Sequence, residues 1–138
     1  MPHCDDGTLG PSTRYALAPF LSYLAQGMQE LGIPDPHSIT GTSAALRASG
    51  FTDVVHTTHR CPLSPWPRDR RLRYAGLFMR TSLLDGLPGL ARRPLVHGLG
   101  WTDLQVQMFL LEVRRAVADD KVHAYFPLHV VHARKPLR

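Results

Sequence analysis

The stretch HAYFPLHVVHARKP, His123 to Pro136, decides the fold. It is β-branched and aromatic, as a buried strand is, and it stops at Ala133-Arg134-Lys135-Pro136. Only one other segment of the chain reads as a strand, FTDVVHTTHR from Phe51 to Arg60. Two strands read as apolar on both faces do not make a stable sheet by themselves. They need neighbours that the remaining residues do not visibly supply. The expectation is an incomplete sheet.

Everything else reads as helix or connection. Ser12 and Thr13 are candidate N-caps for a helix carrying Leu17, Phe20, Leu21, Leu24, Met28 and Leu31 at three- and four-residue spacings. Pro19 is expected to kink that helix or delay its start, and Gly32 and Pro34 to end it. A loop through Asp35-Pro36 leads to a short helix over Thr42–Ala48, closed by Gly50. Pro62, Pro65 and Pro67 are expected to forbid regular structure after the first strand. A third helix runs from Arg68 toward Leu84, with Leu72, Gly76 and Met79 on one side, until Gly86, Pro88 and Gly89 break it. Leu90 to Leu99 is a further short helix capped by Gly100. The clearest helix starts at Thr102. Its stripe is Val106, Phe109, Leu110, Val113 and Val117, while Arg114, Arg115, Asp119 and Asp120 stay wet.

At 138 residues the length suits one domain. The net charge of +5 permits acidic partners without arguing for them. Two cysteines, Cys4 and Cys61, make no disulfide framework. With no secretory signal, a reducing compartment is expected: the cytoplasm, with the nucleus as the alternative. No apolar run approaches the roughly 18–20 residues of a membrane span, so no membrane partner is expected.

The chemical motifs are sparse. Gly98-Leu99-Gly100 is the one close glycine pair before a helix, but no strand precedes it, so it reads as a helix end rather than a phosphate loop. His56/His59 and His129/His132 have metal-like spacing, yet on strands such positions face opposite sides, so no metal site is expected. His123 and His129 share a strand face but lie about 20 Å apart. Arg68, Arg70, Arg71 and Arg73, with Arg14, Arg92, Arg93 and the Arg134-Lys135 tail, lack interleaved aromatics, so a solvated face is preferred to nucleic-acid binding. Neither cysteine reads as a nucleophile. No catalytic residue is assigned. Asp5 and Asp6 stay open between capping, turning and binding. Trp66, Tyr74 and Phe78 are candidates for lining a pocket for a flat apolar substrate, with aromatic core packing as the default.

The run Ala45-Leu46-Arg47-Ala48-Ser49-Gly50-Phe51-Thr52-Asp53-Val54 resembles the helix–glycine–strand step late in class I S-adenosylmethionine-dependent methyltransferases. Pro65-Trp66-Pro67-Arg68-Asp69 resembles an element of one branch, the fungal methyltransferases of secondary metabolism that include the velvet-associated global regulator. Leu99-Gly100-Trp101-Thr102, the helix ending Val113-Arg114-Arg115, and His123 through Pro136 are similar to the closing pattern of that branch. Cys4-Asp5-Asp6-Gly7-Thr8-Leu9 resembles the acidic turn after its fifth strand.

The resemblance implies an α/β chain with an incomplete Rossmann-like methyltransferase fold. The whole of residues 1–138 would be its C-terminal portion, keeping the last two or three strands plus helical lid insertions. The lid helices would span about 13–32 and 68–99, followed by a terminal helix at 102–118 and a strand at 122–134. The last strand would be the family's reversed strand, beside the fifth. The glycine-rich loop and ribose-binding acid have no counterpart, so the cofactor of the family, S-adenosyl-L-methionine, is not expected to bind this chain alone, and whether it is an enzyme stays open. The implied function is a truncated methyltransferase, inactive alone, with a fungal secondary metabolite as acceptor. Trp66, Tyr74, Phe78, His123 and Tyr125 are the acceptor-side candidates by position. The alternative is a non-catalytic module that docks on a full-length methyltransferase or another protein, or on its own copy, through exposed sheet edges.

Overall fold

The computed structural model describes residues 1–9, 15–33 and 39–136. The element order is α1 (Leu17–Glu30), α2 (Ile39–Ala48), β1 (Thr52–Pro62), α3 (Arg70–Arg92), a π-helical segment (Arg93–Gly98), α4 (Asp103–Ala118) and β2 (Tyr125–Arg134). The proposed caps Ser12 and Thr13, Arg14, and the Pro34–Pro36 loop lie outside the described residues.

Pro19 sets where α1 begins. Proline tolerates only the first turn, where its missing N–H has no acceptor to lose. The helix accordingly starts at Leu17, with Pro19 in its first turn. Leu17 and Phe20 are fully buried. In α4 the expected cap forms completely. The Thr102 hydroxyl accepts from Gln105 N–H at 3.2 Å, and the Gln105 side chain accepts from Thr102 N–H at 2.8 Å. The stripe Val106, Leu110, Val113 and Val117 is buried and Phe109 packs partly against it.

The third helix corrects the sequence reading. It does not break at Gly86, Pro88 and Gly89, and Leu90–Leu99 is not a separate helix. α3 continues for 23 residues through Pro88 and runs directly into the π-helical segment. An internal proline costs about 3 kcal/mol. That cost is offset by what the continuous rod buries, since Leu87, Ala91 and Leu95 are all fully covered, at roughly 1.5–3 kcal/mol for each large side chain. The wider turn then accommodates Pro94, with Leu99 N–H donating to the Pro94 carbonyl at 3.1 Å.

Glycine lets this rod cross α1 backbone to backbone. A Cβ at Gly27 would stand 2.2 Å from the Pro94 carbonyl oxygen, and one at Gly98 would stand 2.3 Å from the Gly27 oxygen. Gly98-Leu99-Gly100 is therefore a helix end, as expected, and Gly98 is also a packing residue. Arg80 to Asp120 at 2.6 Å and Arg92 to Asp103 at 3.9 Å set α4 antiparallel to α3. Tyr23, Trp101 and Phe109 meet edge to face at 5.1–5.7 Å and seal α1 against α4.

β1 and β2 form a two-stranded antiparallel ribbon, pairing Thr57 with Val130 and Pro62 with Tyr125. Pro62, expected in irregular chain, is thus the last residue of β1. At the other end Asp53, with φ 50°, takes up a register shift between Thr52 and Val55. Both strands were expected to be apolar and covered. Instead most of the ribbon is exposed, Leu128 by 50% and Val130 by 41%. The alternating Thr, His and Arg side chains of β1 are the reason: its β-propensity is high, but its polarity does not require cover. α2 packs along the ribbon. No helix is long and apolar enough to cross a membrane, among the described residues.

Candidate functional site

Among the described residues, a dense polar constellation lies where the ribbon joins the helical body. Three chain segments meet at Ala124. Its carbonyl accepts from Leu63 N–H at 3.0 Å and from the Trp66 indole at 3.1 Å. One residue on, Tyr125 exchanges both backbone hydrogen bonds with His3, each at 2.9 Å. That bridge pins the start of the chain to the edge of β2 opposite β1.

The acidic turn follows His3. Gly7 sits at φ 77°, a conformation that suits glycine, and lets the chain double back so that Thr8 N–H donates to Asp6 Oδ1 at 3.1 Å. The Thr8 hydroxyl donates to the same oxygen at 2.8 Å and the Cys4 thiol does so at 2.8 Å. The other carboxylate oxygen, Oδ2, lies 2.5 Å from His123 Nδ1. His123 backbone N–H donates to the Thr8 hydroxyl at 2.9 Å, so turn and strand entry are clamped twice. Hydrogen bonds from Cys4 above all, then from His123 and Thr8, hold the Asp6 carboxyl well below its ordinary range. The imidazole of His123 stacks on Trp66 at 5.0 Å and 23°.

Beside it Asp5 bridges two residues of the ribbon. The Tyr125 hydroxyl donates to Asp5 at 3.0 Å, and Arg60 forms an ion pair with the other Asp5 oxygen. The Arg60 guanidinium also lies over the Tyr125 ring, 5.1 Å from its centroid. Donation to Asp5 raises the Tyr125 phenol above its ordinary pKa. The open alternatives for Asp5 and Asp6 thus resolve into specific partners.

Of the five acceptor-side candidates, the structure brings three together: Trp66, His123 and Tyr125. Tyr74 and Phe78 lie on the outer side of α3, 50% and 70% exposed, with Arg70 over the Tyr74 ring at 5.7 Å. Cys4, Asp5, Asp6, Thr8 and Arg60 complete the constellation. The acidic turn is legible in the sequence, but its pairing with His123, more than a hundred positions away, is not. Cys61 is half-buried, and burial raises its thiol pKa, which disfavours the thiolate. In the basic cluster, Arg73 turns back to donate to the carbonyls of Pro67 and Arg68. Arg68, Arg70, Arg71 and Arg73 are all exposed.

The histidines hold a second surprise. His56 and His59 do face opposite sides of β1. Across the ribbon, however, His56 Nε2 lies 3.0 Å from His129 Nδ1, and Thr58 Oγ1 lies 3.2 Å from that same nitrogen. Cross-strand register, which no within-strand spacing reveals, makes this pair. Among the described residues no group of three or more His, Cys, Asp or Glu could hold a metal ion.

No known family model matches the chain, and no solved structure matches it either. Curated relatives do. The chain is 30% identical over 137 residues to the protein-methionine methyltransferase laeA of Emericella nidulans, covering 99% of this chain and 36% of that protein. It is 32% identical over 136 residues to a secondary metabolism regulator of Cochliobolus heterostrophus, covering 98% and 43%. A secondary metabolism regulator of Aspergillus flavus is 29% identical over 135 residues, covering 98% and 36%. The chain thus spans about a third to two fifths of the length of these relatives.

Proposed function

We propose that this chain, homologous over nearly its whole length to a segment of the fungal secondary-metabolism regulators, supplies the closing strands and acceptor-side surface of a methyltransferase fold. The carrying observation is the similarity itself: 30% identity over 99% of the chain to a relative named as a methyltransferase. The geometry supports it. β2 runs antiparallel to β1 and bridges His3 on its other edge. A reversed last strand between a fifth and a sixth strand would make the same two contacts. Exposed faces on both sides of the ribbon suit a sheet that other strands and helices complete.

On this reading Trp66, His123 and Tyr125 face the methyl acceptor. Trp66 and His123 offer a stacked aromatic surface, and Asp6 orients the imidazole so that His123 can hold an acceptor proton. The acceptor is a fungal secondary metabolite. The name of the Emericella nidulans relative adds a methionine side chain of a protein as the second acceptor class.

The family's cofactor is S-adenosyl-L-methionine. The described residues do not fit it: their one close glycine pair before a helix has its first member pressed against the backbone of α1, and no glycine-rich turn follows a strand. Calorimetric titration with S-adenosylhomocysteine is the test. The folded chain by itself is expected to give no binding heat. Micromolar binding would overturn the assignment of the cofactor site to residues outside this chain. Association with the remaining two thirds of a relative, giving S-adenosylhomocysteine binding that neither part has separately, is the positive result expected.

A further inference from the structure

We propose that His56 and His129 form a two-histidine site for a late divalent transition metal such as zinc, nickel or copper, clipping β1 to β2 across the exposed ribbon. This goes beyond the methyltransferase reading and stands without it. Two imidazole nitrogens bound to one ion lie about 2.0–2.1 Å from it. At bond angles of 90–109° they are then separated by about 2.9–3.4 Å. His56 Nε2 and His129 Nδ1 are 3.0 Å apart, with ring centroids at 5.2 Å and planes tilted by 34°.

The two nitrogens lie at hydrogen-bond distance, bridged by a hydrogen whose donor is set by the tautomer. An ion would replace that hydrogen as the bridge after small side-chain rotations, which the exposure of both residues permits. Thr58 Oγ1, 3.2 Å from His129 Nδ1, stands beside the site as a polar neighbour. Water fills the remaining positions, since no third protein ligand converges among the described residues. Imidazole donors select zinc, nickel and copper over magnesium and calcium. The acidic turn with Asp6 and His123 is a separate place: β2 residues 125 and 129 alone are about 13 Å apart.

Binding would act on a largely exposed part of the molecule. The ion ties β1 to β2 only in the folded state, so it stabilises by mass action. The test is titration of the purified chain with zinc chloride near neutral pH, read by calorimetry and by thermal unfolding. One equivalent is expected to bind and raise the midpoint, and EDTA is expected to reverse the shift. His56→Ala and His129→Ala should each weaken binding about 100-fold or more, because either change turns a chelate into a single contact. His59→Ala and His132→Ala should leave it unchanged. No binding, or binding that survives either of the first two changes, overturns the proposal. Should a variant fail to fold, paramagnetic copper broadening in the unmodified chain decides. Selective loss of the His56 and His129 ring signals supports the site, and loss spread over other histidines overturns it.

Discussion

The helical body and the ribbon are held together by different physics. In the body, α1, α3, the π-helical segment and α4 bury Leu17, Phe20, Leu87, Ala91, Leu95 and Val113 completely. Non-directional apolar burial dominates there, at about 25 cal/mol per Å². In the ribbon, Val55, Leu128 and Val130 stay 41–50% exposed, and the strands hold by backbone pairing and cross-strand contacts such as His56 with His129. An isolated two-stranded ribbon is marginal in water. This one persists because its end is anchored where Leu63, Ala124 and His3 interlock. The candidate site therefore sits at the joint between a well-buried body and a loosely covered element, not deep in either.

The largest effect should come from the body. Phe20→Ala removes a fully buried ring that meets Phe109 at 6.2 Å, and a loss of about 3–5 kcal/mol is expected in denaturant unfolding. If the ribbon were equally important to the core, Val130→Ala would cost as much; a loss within about 0.5 kcal/mol is expected instead. Gly98→Ala comes next. Its methyl would meet backbone rather than a movable side chain, so the α1 crossing must open, at about 1–3 kcal/mol. Hydrogen exchange should then rise in α1 and the π-helical segment more than in β1.

The smallest effect concerns the joint. The folded Asp6 carboxyl lies below its ordinary 3.8. A lowered carboxyl contributes stability that is present above the unfolded value and lost as pH falls through the folded one. Unfolding followed from pH 6 to pH 2 should therefore show a decline that Asp6→Asn flattens, the two proteins differing most above the ordinary 3.8 and converging as pH falls; through alkaline pH that difference stays constant. There a different group acts. Burial, with the charge of Asp119, pushes the Tyr15 phenol up to about 12. Its contribution is full below the ordinary value of 10 and fades as pH rises through the folded value.

Much of the element list was legible because it rests on local physics. The α4 stripe and its Thr102 cap follow from 3.6-residue periodicity and hydrogen-bond capacity within one turn. The late start of α1 follows from Pro19. The long third helix was not legible. Gly86, Pro88 and Gly89 carry local preferences against helix, and only the burial of Leu87, Ala91 and Leu95 on both sides of them reverses the balance. The candidate site was half legible. Trp66, His123 and Tyr125 were expected on the acceptor side by position, but their joining to Cys4, Asp6 and Thr8 depends on the His3 bridge to Tyr125.

By itself the sequence determined the Thr102 cap, the α4 stripe, the two strands and the family resemblance, all of which depend on neighbours within a few residues or on residue identity. Tertiary structure alone decided that α3 runs through its proline, that Gly98 presses on Gly27, and that His56 meets His129. Each of these is a contact between segments distant along the chain, whose energy exceeds the local preference it overrides and whose geometry no spacing along one segment encodes.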